Sequence, residues 1–184
     1  SIMVNKKYIK SNEVFKSLVK SDSSDGYYDD ITEYTNALLR TQSNLQLALE
    51  ALRACHWSME GKRFISVHPF FDELFDILDN EVDFFAEYLA LNNVPPVSNF
   101  NHVTANDELS SDEPDGFISV DTGVFRACNI LGGLEEQVDE TYIYAGTVND
   151  HRIQSHIDNL LESLDHYIYF FRKEFMDMDG EDDD

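Results

Sequence analysis

The chain has few cationic side chains, two cysteines, four prolines, one tryptophan and no long apolar run. Each shortage removes a class of protein. Thirteen Lys and Arg stand against 36 Asp and Glu over 184 residues, a formal net charge of −23. That balance argues against a nucleic-acid binder with a basic surface all round and favours cations as partners. No segment reaches the roughly 18 consecutive apolar residues a membrane span requires, and residues 1–10 carry charge where a secretory leader would be apolar, so a cytoplasmic protein is expected. Cys55 and Cys128 lack C-x-x-C or zinc-finger spacing and read as free buried thiols in a reducing compartment. Strand signals are scarce and no repeat at solenoid spacing is found. Apolar residues still make up 42% of the chain, enough for one domain of this length to build a core without disulfides.

Charge divides the chain. Residues 1–20 carry Lys6, Lys7, Lys10, Lys16 and Lys20 against Glu13, a local +4, while the remainder carries −27. Residues 1–26, ending in a Ser/Asp/Gly hinge at Ser21–Gly26, are therefore expected to be a mobile basic segment, and 177–184 an acidic solvated tail. Between them, residues 27–176 show four helical periods. Ile31, Tyr34, Leu38, Leu45, Leu49 and Leu52 recur at three and four residues in a helix reaching about Trp57. A turn at Gly61 precedes a second helix from about Ser66 to Asn92, which stops before Pro95-Pro96. A third spans about Val124 to Tyr144, with a kink or late start expected at Gly132-Gly133, where two glycines cost roughly 2 kcal/mol against alanine. A fourth runs from Asp150 to about Phe175. The expected fold is all-α, a four-helix bundle with one long crossover, about Val94 to Gly123, that has room for a short helix.

The second helix carries the chemistry. At about 100° per residue, Phe71, Phe75, Leu78, Val82, Phe85 and Leu89 share one arc, and Phe70, Leu74, Ile77, Phe84, Tyr88 and Leu91 fill the neighbouring one. The remaining arc holds His68, Asp72, Asp76, Asp79, Asp83 and Glu87 without a single Lys or Arg. A solvated face normally mixes charges for i,i+4 pairing; one sign alone repels itself unless a cation sits there. His68 and Asp72 are spaced to hold one metal ion, as are Asp83 and Glu87. Asp72 and Asp83 lie about 16 Å apart along the axis, too far for one ion. Two such helices crossing antiparallel about a twofold axis would join the unlike halves into two complete sites. Such an N/O donor set suits Fe(II), Mn(II) or Zn(II). His56 shares a side with Leu45, Leu49 and Leu52 and on pattern alone reads as a satisfied core residue, but Trp57 and the approach to Gly61 put it near His68.

Together His56-Trp57, Gly61, Phe64, His68, Phe71-Asp72-Glu73, Asp83 and Glu87 form the pattern H-W-x3-G-x2-F-x3-H-x3-D-x10-D-x3-E. The chain thereby resembles the Dps family, dodecameric mini-ferritins with a ferritin-like four-helix bundle that oxidise iron and, in many members, protect DNA. The resemblance implies a catalytic ferroxidase centre in which His56, His68 and Asp72 of one subunit meet Asp83 and Glu87 of its twofold partner. It implies Fe(II) as substrate, hydrogen peroxide or oxygen as oxidant, and ferric mineral nucleated at Glu73 and Asp76, with Asp79 sharing their direction. Zinc or manganese are alternative occupants. Asp150 matches the acid-lined threefold pores, although it also suits a helix cap. Trp57 is either a packing anchor or a quencher of stray radicals. Many members have a second tryptophan in the last helix where this chain has Tyr169. The rival reading is a nucleoid-associated DNA-binding protein holding phosphate with its N-terminal lysines. Glu-x-x-His, which ordinary ferritins use inside one bundle, is absent, as are H-E-x-x-H, G-x-x-x-x-G-K-[ST] and G-x-S-x-G.

Overall fold

Four long helices follow one another along the chain in a computed structural model that describes residues 25–98 and 116–176. They are α1 (Asp25–Ser58), α2 (Phe64–Leu91), α3 (Val120–Thr147) and α4 (His151–Met176), with two-residue strands β1 (Met59–Glu60) and β2 (Ile118–Ser119) between them. The α1–α2 and α3–α4 connections are short, so each pair folds back as a hairpin, and α1 also packs along α3. Rings from α2 and α4 close the bundle, with Phe71 against Phe171 at 5.0 Å and Phe84 stacked on His156 at 3.5 Å. The architecture is the four-helix bundle expected from the apolar periods.

Those periods become the core. Leu38, Leu45, Leu49 and Leu52 of α1 are buried against Phe71, Leu74, Leu78, Phe85 and Leu89 of α2. Leu131, Leu134 and Val138 of α3 and Ile153, Ile157, Leu160 and Leu164 of α4 complete the cluster. Each large apolar side chain fully buried there contributes roughly 2 kcal/mol. Cys55 is buried, Cys128 half-buried, and both are free thiols; burial raises the pKa of each.

Helix starts differ from the sequence expectation. α1 begins at Asp25, within the supposed hinge and six residues before Ile31, because a helix is bounded by its backbone hydrogen bonds and not by its first buried residue. α3 begins at Val120, four residues before Val124, where the Ser119 hydroxyl accepts a hydrogen bond from the Thr122 amide at 3.1 Å. It then runs unbroken through Gly132-Gly133, correcting the expected late start. Leu131 and Leu134 flank the pair and are fully buried, so packing on both sides offsets the glycines' poor propensity. α2 ends as expected, with Asn93 left-handed at φ 59° and the Val94 amide reaching back to the Leu89 carbonyl. The crossover is tied down at both ends. The Gln42 amide exchanges two hydrogen bonds with the Val97 backbone at 2.9 and 2.8 Å. Met59 and Glu60 pair in parallel with Ile118 and Ser119, and Gly123 is required there because a Cβ would run into Met59. The short helix anticipated within the crossover, the basic segment and the acidic tail lie outside the described residues.

Candidate metal centre

The turn joining α1 to α2 determines where the ligands fall. Gly61 at φ 112° and Arg63 at φ 69° reverse the chain within a few residues. Left-handed geometry is costly for a residue with a Cβ, and here Arg63 is held by its own side chain. Its guanidinium pairs with Asp121 in the first turn of α3 and with Glu174 near the end of α4, at 2.8 Å to the carboxylate and 3.1 Å to the carbonyl. The turn is thereby fixed to both ends of the other hairpin. Arg63 escaped the sequence reading because its partners lie 58 and 111 residues away.

This turn sets the last turn of α1 beside the first turns of α2 and brings together three of the expected ligands. His56 Nε2 lies 3.8 Å from one Asp72 oxygen, and His68 Nε2 lies 3.6 Å from the other. One donor atom from each of His56, His68 and Asp72 falls within 4.8 Å of the other two, and no other such trio occurs among the described residues. The two imidazoles are stacked, with centroids 4.2 Å apart and planes 23° from parallel. His56 is 7% exposed, whereas Asp72 faces solvent. Burial, then the neighbouring His68, lowers the His56 pKa below the ordinary histidine value, with Asp72 pulling it partly back. A neutral imidazole keeps its lone pair for a metal. The group therefore presents two nitrogens and a carboxylate at the surface of the bundle.

The other expected site residues are placed as follows. Asp83 and Glu87 are exposed farther along the acid face of α2, and the fold of the chain does not bring them to His56, His68 and Asp72. Asp76 and Asp79 are exposed between the two ends. Glu73 is exposed too and accepts a hydrogen bond from the Tyr167 hydroxyl at 3.3 Å. Trp57 is 68% exposed, so it is not a packing anchor within the bundle. Tyr169 is also exposed, with the Lys173 ammonium 5.7 Å from its ring. Asp150 is occupied inside the bundle. One oxygen accepts from the Ile153 amide at the start of α4, and the other from the hydroxyls of Tyr34, at 2.8 Å, and Tyr88. Burial above all, with Asp150 contributing, keeps both phenols protonated. The lysines at positions 6, 7, 10, 16 and 20 lie outside the described residues. The sequence reading also missed His156, which meets Glu81 at 2.7 Å between α4 and α2 and links the helices away from the cluster.

The family model of the ferritin-like domain matches residues 35–179. The chain belongs to the ferritin-like family. No curated protein matches it, but solved structures of this family do. Antigen TpF1 from Treponema pallidum superposes with a TM-score of 0.75 at 18% identity, covering 80% of this chain and 94% of that one. Dps from Staphylococcus aureus gives 0.71 at 20% identity, covering 78% and 95%. Dps from Vibrio cholerae, described as a ferritin-like diiron-carboxylate protein, gives 0.70 at 19%, covering 79% and 90%. The ferritin-like bundle here thus has the shape of the Dps mini-ferritins over nearly their whole length.

Proposed function

We propose that this ferritin-like protein is an iron-storing ferroxidase of the Dps type. The observation that carries the reading is the His56–His68–Asp72 cluster. It is built across a hairpin whose turn is pinned from the far side of the bundle, yet it opens at the surface with its ligand set incomplete. Asp83 and Glu87 of a second copy supply the remaining carboxylates when two α2 helices cross antiparallel, and twelve copies close into a hollow shell of about 254 kDa.

Iron is the substrate. Two Fe(II) ions each give one electron to one hydrogen peroxide. With two waters, the products are two hydrous ferric oxide units and four protons. The imidazoles and carboxylates set the positions of the ions, and the anionic oxygens favour the more highly charged Fe(III). Glu73, Asp76 and Asp79 lower the cost of gathering ferric ions into mineral on the inner wall. Asp150, at the start of α4, has both oxygens engaged inside the bundle and serves there as the helix cap, which leaves the acids of an entry pore unassigned. The test is Fe(II) oxidation by the purified assembled protein: two Fe(II) consumed per peroxide, with a soluble ferric product, supports the reading. Precipitation at the rate of a protein-free control refutes it.

A further inference from the structure

Carbon, and not hydrogen bonding, orients the two imidazoles. Nδ1 of His56 and Nδ1 of His68 are both closed off from solvent with no hydrogen-bond partner, while both Nε2 atoms face Asp72. Metal-ligating histidines usually donate the second ring N–H to a carboxylate or carbonyl, which fixes ring rotation. Here rings do that work. Phe64 lies 5.0 Å from His68, His68 stacks on His56, and Phe75 meets His56 edge-on at 5.2 Å and 81°. The Arg53 guanidinium, 5.8 Å from the Phe75 centroid, closes the far end of the column.

We propose that Phe75, backed by Arg53, is a positioning residue that sets the rotation of the His56 ring and so aims Nε2 at the bound metal. The inference rests on the reading of this cluster as the ferroxidase half-site. Phe71 also approaches His56, at 5.8 Å, but it is fully buried and packs on Phe171, so its role in the bundle core cannot be separated from any role at the site. Phe75 is only half-buried, and its replacement leaves the central core layer in place. With no acceptor at Nδ1, a shortened side chain at position 75 leaves the imidazole free to turn. The same Nε2 then spends less time in the direction the metal needs.

The test uses Co(II), whose visible absorption reports coordination geometry, on the assembled parent, Phe75→Leu, Phe75→Tyr and Arg53→Ala. Peroxide-driven Fe(II) oxidation and thermal unfolding are measured alongside. Phe75→Leu is expected to weaken Co(II) binding about tenfold and alter the visible band. Phe75→Tyr, which keeps the ring, should restore both, and Arg53→Ala should weaken binding by a smaller factor. Parent-like binding and spectrum in Phe75→Leu overturn the positioning role. If Phe75→Leu fails to assemble, Phe75→Tyr and Arg53→Ala decide: parent-like binding with the ring kept and weaker binding without its brace support the role, and parent-like binding in both overturns it. A parent that neither binds Co(II) nor oxidises Fe(II) refutes the functional reading itself, which is a different result.

Discussion

Replacing Glu135 by glutamine should make the protein less sensitive to alkaline pH. Glu135 lies on α3 facing α4, and its carboxyl is pushed from an ordinary 4.5 up to about 7. Burial is the largest cause, followed by the charge of Asp165 and the hydrogen bond the two acids share, while Arg172 acts in the opposite direction. Its Oε1 is shut off from solvent without a partner. The folded state therefore holds this proton more tightly than the unfolded chain does. The resulting stabilisation is fully present below about pH 4.5, falls as pH rises towards 7, and is gone above it. A carboxyl titrating near 7 when folded and near 4.5 when unfolded corresponds to at most about 3 kcal/mol. Because the side chain is only partly covered, screening reduces this to about 1 kcal/mol. Glutamine cannot ionise, and its amide can donate to Asp165. Glu135→Gln should match the parent near pH 4.5 and exceed it by about 1 kcal/mol near pH 8.5, a rise of about 2–4 °C in melting temperature. Circular dichroism melts over a pH series, on particles of verified equal mass, provide the assay. Parent and variant curves running parallel across the series would show that folding leaves the Glu135 carboxyl unshifted and that the argument fails.

Asp72→Ala and His68→Ala should each abolish rapid peroxide-driven Fe(II) oxidation with little change in melting temperature, because both side chains lie off the apolar stripe. Asp76→Ala should keep the initial rate and slow mineral growth, and parent-like kinetics in all three would return the acid face to a merely solvated one. Light scattering of the native particle should give about 254 kDa; a monomer would leave every centre without its second half. Arg63→Ala should lower stability by about 1–3 kcal/mol, since it strands Asp121 and Glu174 together. Arg63→Gly should be milder by about 1 kcal/mol, because glycine takes the left-handed turn without strain. Equal melting temperatures for those two variants would remove the backbone part of that argument.

Local spacing made the bundle legible. The stripe from Phe71 to Leu89 and the lysine-free acid face are properties of one helix, and a three-to-four-residue period records which side is buried. The same spacing placed His68 with Asp72. His56 was ambiguous because its proximity to His68 depends on a turn whose backbone is held by Arg63, and Arg63 finds its partners 58 and 111 residues away. The Tyr34–Tyr88–Asp150 contacts and the Glu81–His156 pair were invisible for the same reason, since each joins helices through positions with no sequence relation. Helix starts were missed where a cap decides them: Ser119 looks like any loop serine until the Thr122 amide is seen bonded to it. The proposed union of Asp83 and Glu87 with the histidines belongs to a different level again, since it would take a second copy of the chain.

The two anchors of the crossover have a consequence for how long that connection needs to be. Gln42 holds Val97, and Met59 holds Ile118, two points on α1 and its end separated by about 25 Å at helical rise. The twenty-one residue steps from Val97 to Ile118 have a contour of roughly 70 Å when extended. More than half of that reach is surplus. Closure entropy grows only as the logarithm of length, so doubling the connection would cost about 0.6 kcal/mol. One attachment point is on α1 and the other on β1 directly after it, so both ends of the connection are held by one continuous stretch of chain. The bundle thus fixes where the connection leaves and rejoins it, at Val97 and at Ile118, and not how many residues lie between.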